Sequence, residues 1–192
     1  MVGKRKEQKA QTRERIITAA FKVYSERGFS ANTTAITDEA GISHGAIFVH
    51  FPNVESLLLC LLDRFGEDIK AELHELAEFG DMAALLDMHL RVLIQHEAFY
   101  KRLVTEAVYL PDEARNTFIA IQSAVSIHFV QALKQEVAAG RVKDIPFHMV
   151  FNTWLGLVHY YLLNSELFAP NESVLTRHKD ALVENFLALI HK

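Results

Sequence analysis

A single cysteine, Cys60, rules out an internal disulfide, and no cysteine pair is present to form a zinc motif of the Cys-x-x-Cys kind. Only four prolines and eight glycines interrupt 192 residues that are half hydrophobic, so the chain can bury a sizeable core and leaves no room for disorder beyond its extreme N-terminus. No apolar targeting segment follows the charged start Lys4, Arg5, Lys6, Glu7, and a cytoplasmic protein is expected. Missing too are a His-Glu-x-x-His run, the paired Glu-x-x-His motifs of di-iron bundles, a nucleophile elbow, a P-loop and a dinucleotide fingerprint. No enzyme, catalytic residue or cofactor is expected. The longest stretch free of charged side chains, Ile145 to Ser165, is 21 residues and long enough to span a bilayer. It contains Pro146, His148, Asn152 and Asn164, however, and reads as a helix buried on both sides rather than one in a membrane.

What the chain does have is helical periodicity. Apolar residues recur at helical spacing in Ile16, Ile17, Ala20, Phe21, Tyr24 and again in Leu57, Leu58, Leu61, Leu62, Phe65, Ile69, Leu73, Leu76, while period-two strand patterns are absent. Breaks at Gly28, Gly41, Pro52, Gly80, Pro111, Gly140 with Pro146, and Pro170 predict an all-α fold of about nine helices. Their expected ranges are 6–27, 33–40, 44–50, 53–79, 81–94, 96–109, 112–139, 146–166 and 172–191. The net charge of −4 is uneven, because residues 1–52 hold 8 Lys and Arg against 5 Asp and Glu, whereas the remainder holds 12 against 19. A polyanion would dock at the basic end and be repelled by the rest.

Two short helices separated by a Gly-containing turn, within Asn32 to Phe51, form a helix-turn-helix signature. Gly41 is suited to the positive φ that ends the first of them, Ile42 plugs the corner, and Ser43 is placed to cap the second. Ile36, Ala40 and Ile47 are expected to pack the pair together. The second helix then opens with Ser43, His44, Gly45 and Ala46, small or polar groups that admit it to a major groove. His44 and His50 are candidate hydrogen-bonding groups, and Ala46 and Val49 candidate contacts to thymine methyls. Thr33 and Thr34 offer hydroxyls and free N–H groups to a phosphate.

The run Tyr24, Gly28, Phe29, Thr33, Thr34, Ala40, Gly41, Ile42, Ser43, Gly45, Phe48, Phe51 resembles the TetR family over about 50 residues. The resemblance implies a DNA-binding domain at 1–52 and an effector-binding and dimerisation domain at 53–192. It also implies a homodimer on inverted-repeat operator DNA, usually as a repressor, released by a small-molecule effector. Where the family commonly has Lys, Tyr, Tyr and Lys, this chain has His44, Phe48, His50 and Val54, and Thr37 stands where Ala is more frequent. The first four replacements each remove a phosphate donor or make it titratable; Lys4, Arg5, Lys6 and Lys9, with Arg13 and Arg15, are the candidate substitutes. Phe51 is expected in the core, while Phe48 is open between core and surface.

The long fourth helix is implied to link the two domains, with Asn53 as its cap, Glu55 at its positive end and Asp63, Glu67, Lys70, His74 and Glu78 on its polar side. Candidate lining of a pocket for a hydrophobic or aromatic effector comprises Phe65, Leu86, His89, Phe99, Leu103, Tyr109, Ile121, Val125, Phe129, Trp154 and Tyr161. A dimer surface is expected from Trp154, Gly156, Val158, Leu182, Phe186 and Leu189, with Leu175 and Ile190 completing it. Ten histidines, among them His89, His96, His128, His148 and His159, raise the alternative of a metal sensor, though no ligand motif supports it and no metal is expected. A helical adaptor binding only protein would instead keep the dimer surface and lack salt-dependent affinity for DNA.

Overall fold

The computed structural model describes the backbone of residues 2–76 and 81–192, and side chains for 4–72 and 81–192. The break at Gly80, the last three residues of the helix expected at 53–79, and the side chains of Leu73, His74, Leu76 and Glu78 lie outside the described residues. Ten α-helices and one 3-10 turn account for nearly all of the rest, and among the described residues the only β-pairing is a single bridge between Val142 and His191.

The order is α1 (Val2–Arg27), α2 (Thr33–Ala40), α3 (His44–His50), α4 (Val54–Leu76), α5 (Met82–Gln95), α6 (Glu97–Glu106), a 3-10 turn (Ala107–Tyr109), α7 (Asp112–Ala138), α8 (Phe147–Leu163), α9 (Ser165–Phe168) and α10 (Val174–Ile190). Helix α1 starts earlier than expected because Lys4 to Lys9 contains only good helix formers and nothing to stop the helix. The helix expected at 146–166 instead ends at Leu163. There Asn164 leaves helical geometry at φ −109°, ψ 28°, and its side-chain amide donates to the Tyr160 carbonyl at 2.8 Å. No single helix among the described residues is long and apolar enough to cross a membrane.

The chain divides into two compact units, one of residues 1–65 with 98–118 and one of 66–97 with 119–192. In the first, Phe99 is fully buried at the centre of an aromatic cluster, with ring centroids 4.8 Å from Phe21, 5.6 Å from Phe29 and 6.1 Å from Phe65. Arg102, one turn further along α6, donates to the Ser25 and Glu26 carbonyls at the open end of α1. Its partner Glu106 accepts the Phe29 N–H at 2.8 Å. Arg102 thus satisfies carbonyls that the end of a helix leaves unpaired, and Glu106 an N–H of the connection that follows. Gly28 takes φ +80° at this corner, and a Cβ there would lie 2.5 Å from a Glu106 oxygen.

In the second unit, α5, α8 and α10 enclose Trp154, Val158, Leu182 and Phe186, with Phe129 packed edge-on against Phe151 and Phe186. The start of α10 is closed by Glu97, whose carboxylate accepts the N–H groups of Val174 and Leu175 and the Ser173 hydroxyl. Placing a carboxylate at the positive end of the helix is favourable on electrostatic grounds as well.

Candidate nucleic-acid interface

The helix-turn-helix corner is built as its residue types dictate. Asn32 accepts the Ala35 N–H and starts α2, leaving the amides of Thr33 and Thr34 at the helix entrance. Gly41 ends it at φ 60°, ψ 45°, while Arg15 reaches from α1 to the carbonyls of Ala40 and Gly41. Ile36, Ala40 and Ile47 are buried, so one face of α3 is fixed inward. Thr37 is 2% exposed and donates to the Thr34 carbonyl, so a polar residue at this buried position costs no unpaired hydroxyl.

The opposite face of α3 is open. Ser43, His44, Gly45, Phe48 and Val49 are exposed, Ala46 and His50 half-buried, and of the two threonines at the start of α2 Thr34 is exposed and Thr33 partly so. Phe48 stands on the surface, 46% exposed, with its ring stacked on that of His44 at 5.9 Å; Phe51 is core. One expectation fails in detail, because Ser43 occupies the cap position but its hydroxyl makes no capping bond. The hydroxyl therefore remains on the open face. Position 48 offers an apolar ring where a donor is commoner, and Gly45 leaves open space around it.

Charge around this face comes from α1. Lys4, Arg5, Lys6 and Lys9 are exposed, but Arg13 and Arg15 are engaged within the unit. Arg13 lies over the Phe51 ring at 4.9 Å and approaches the Cys60 sulfur at 3.1 Å, and Arg15 closes α2. Partial burial, reinforced by Lys9 and Arg13, pushes His50 below its ordinary value and keeps it neutral at neutral pH. Its Nδ1 is buried without a partner among the described residues.

The expected pocket residues fall into both units. Phe65, Phe99, Leu103 and Tyr109 belong to the first, and Leu86, His89, Ile121, Val125, Phe129, Trp154 and Tyr161 to the second. Tyr109 is 84% exposed on the 3-10 turn that Pro111 follows and is among the residues that line a cleft of the first unit. The others are buried except Ile121 and Tyr161, which are half-buried. His89 and Trp154 do meet: the indole N–H donates to His89 Nδ1 at 3.0 Å. An indole N–H only donates, so His89 Nδ1 accepts and the ring proton is assigned to Nε2. Burial, with His159 nearby, lowers His89 to about 4.

The expected dimer surface is corrected. Trp154, Val158, Leu182 and Phe186 are buried inside their own unit, where they complete its core; Leu175 and Ile190 are buried too, and only Gly156 and Leu189 are exposed. The outer face of α8 is instead Met149, Thr153, Gly156, Tyr160 and Leu163, and that of α10 is Ala181, Glu184, Ala188 and Leu189. Among the described residues no group of three or more His, Cys, Asp or Glu is placed to hold a metal ion.

Comparison with known proteins places this geometry. Residues 16–61, which contain the whole α2–α3 corner, match the family described as bacterial regulatory proteins, tetR family. The transcriptional repressor AcnR of Corynebacterium diphtheriae is 30% identical over 149 residues, 76% of this chain and 76% of AcnR. The chain belongs to the TetR family. It is thus a DNA-binding transcriptional regulator rather than an enzyme. The regulator TtgR of Pseudomonas putida is 41% identical over 68 residues, 35% of this chain; the match spans about a third, 32%, of TtgR's length. A TetR-family regulator from Agrobacterium tumefaciens shares the fold at a TM-score of 0.78 and 18% identity, over 96% of this chain and 100% of that one. FadR from Bacillus subtilis does so at 0.73 and 18%, over 91% and 97%.

Proposed function

We propose that this TetR-family chain is a cytoplasmic repressor that binds an inverted-repeat operator as a homodimer and is released by a small hydrophobic or aromatic effector. The observation that carries the DNA part is the open face at the start of α3, where Ser43, His44, Gly45, Phe48 and Val49 are exposed and Ala46 and His50 half-buried, on a corner packed from inside by Ile36, Ala40 and Ile47. A helix so presented enters a major groove with its first turn, and Thr33 and Thr34 supply phosphate contacts from the start of α2. Twofold pairing through the outer faces of α8 and α10, where Gly156, Ala181 and Ala188 permit close approach, presents two copies of α3 to successive grooves.

The effector reading rests on the apolar residues around the His89–Trp154 pair, since pockets of this kind are mostly apolar with a few placed polar groups. FadR of Bacillus subtilis, alike in fold, was solved with stearoyl-CoA. Induction requires the effector to bind the conformation off DNA more tightly, and α4, whose residues belong to both units, is the element it would shift. A screen by thermal shift that returned only highly charged ligands would contradict an apolar effector.

The operator is tested by selecting duplexes from a random-sequence pool with the purified protein. The expected outcome is an inverted repeat with half-sites about one helical turn apart; no enrichment at low salt would favour a protein-binding adaptor. Salt titration on the selected duplex separates the basic residues. Lys6→Ala should reduce the slope of log affinity against log salt by about one. Arg15→Ala should leave the slope unchanged and lower the stability of the free protein by about 1 kcal/mol, because Arg15 is bonded to Ala40 and Gly41.

A further inference from the structure

Between Ala40 and Phe51 the chain has no Arg, Lys, Asn, Gln, Asp or Glu. The side chains that most often identify a base by hydrogen bonds, Arg or Lys on guanine, Asn or Gln on adenine, Asp or Glu on cytosine, are thus missing from α3 and from the turn before it. The polar side chains left there are Ser43, His44 and His50, and His50 is half-buried with one ring nitrogen enclosed.

What α3 presents instead is apolar. Val49 is 67% exposed, Phe48 stands beside it on the surface, and Ala46 is half-buried. Scattered apolar side chains on a surface call for no explanation, but two large neighbours on the face that meets a ligand reflect what that ligand offers. The Phe48 ring is held in place by His44 one turn earlier, the two planes inclined by 29°. One turn before Val49 stands Gly45, with open space where a Cβ would be, so no side chain at that neighbouring position covers the Val49 isopropyl group. In the major groove the apolar group on offer is the C5-methyl of thymine.

We propose that Val49 and Phe48 are specificity-determining residues that read thymine by its C5-methyl group, so that the half-site is recognised through methyl contacts and not through hydrogen bonds to guanine. The two residues take different base pairs, because neighbours on a helix point about 100° apart. Phosphate contacts from Thr33, Thr34 and the basic residues of α1 set position and carry no sequence information directly. This inference deepens the operator reading and rests on it.

The test uses the full chain and the duplex enriched from the random pool. Each thymine of the half-site is replaced in turn by uracil, at symmetric positions in both halves; uracil keeps every hydrogen-bonding group and lacks only the methyl. At two or more positions per half-site the replacement should weaken binding at least fivefold. Val49→Ala should reduce that penalty to below twofold at one of these positions and Phe48→Ala at another, each leaving the remaining penalties as in the wild type. Val49→Ala puts a better helix former at a surface position and should melt no earlier than the wild type, so it decides the matter even if Phe48→Ala is destabilised. A half-site without thymine, uracil tolerated at every position, or uracil penalties unchanged in Val49→Ala would each overturn the proposal while leaving the operator reading intact. Absence of any enriched duplex would overturn the operator reading, and this inference with it.

Discussion

Unfolded by urea at pH 4 instead of pH 7, the protein is expected to lose about 3 kcal/mol through His89 alone. The folded-state value of about 4 lies below the ordinary 6.5, because protonation would bury a charge beside Trp154 and near His159. In the unfolded chain the imidazole takes up its proton as the pH falls through 6.5, while the folded protein resists until about 4. The unfolded state thus binds more protons across that window, and stability falls with pH between 6.5 and 4 and levels off below. His159 and His50 are lowered too and act in the same direction. Replacement of His89 by Gln should flatten the loss. Trp154→Phe offers a finer check, because the indole N–H stabilises only the imidazole with a free Nδ1, so its removal should raise the His89 value toward 6.5, end the acid loss at a higher pH and make it smaller. An acid-insensitive urea midpoint in the wild type would contradict the burial and protonation assigned to His89.

Phe99→Ala should cost about 3–5 kcal/mol, a large share of the roughly 5–15 kcal/mol that holds a typical domain folded. Phe99 is the ring on which Phe21, Phe29 and Phe65 converge, so truncation opens a cavity touched by α1, the α1–α2 connection and α4 at once. Phe99→Leu fills most of that volume and should lose markedly less. The two are compared by urea unfolding of the free protein. A loss below about 1 kcal/mol for the alanine variant would mean that the cluster repacks without its central ring.

The α2–α3 corner was legible at Gly41 and at the buried Ile36, Ala40 and Ile47, because turn and packing chemistry there acts over a few positions, whereas the Ser43 capping bond did not form. Apolar spacing likewise revealed the helices, including the long ones. Contacts made across the chain left no such mark. Nothing near Arg15 announces that it closes α2, nothing near Glu97 that it caps a helix 77 positions later, and nothing near Arg102 that it finishes α1. Helix α8 misled for a different reason. It carries no charged side chain, and its short polar stripe of His148, Asn152 and Thr153, which marks the exposed face, was not used, so Trp154 and Val158 were read as surface when they are core. Tyr24 was visible as the aromatic preceding Gly28, yet a tyrosine in an apolar stripe gives no sign that its buried hydroxyl lacks a partner among the described residues.

The interrupted composition of the first unit also orders events in time. The residues that would read DNA, 33 to 50, leave the ribosome well before Phe99, the ring that Phe21 and Phe29 close upon. Synthesis at roughly 5–20 residues per second puts about 4 to 14 s between Phe29 and Phe99. During that interval the nascent reading head is an incomplete fold with its aromatic side uncovered. A chain arrested near residue 75 should be cut readily by protease, and one released past residue 118 should resist, so that the regulator acquires its grip on DNA only after more than half of it has been made.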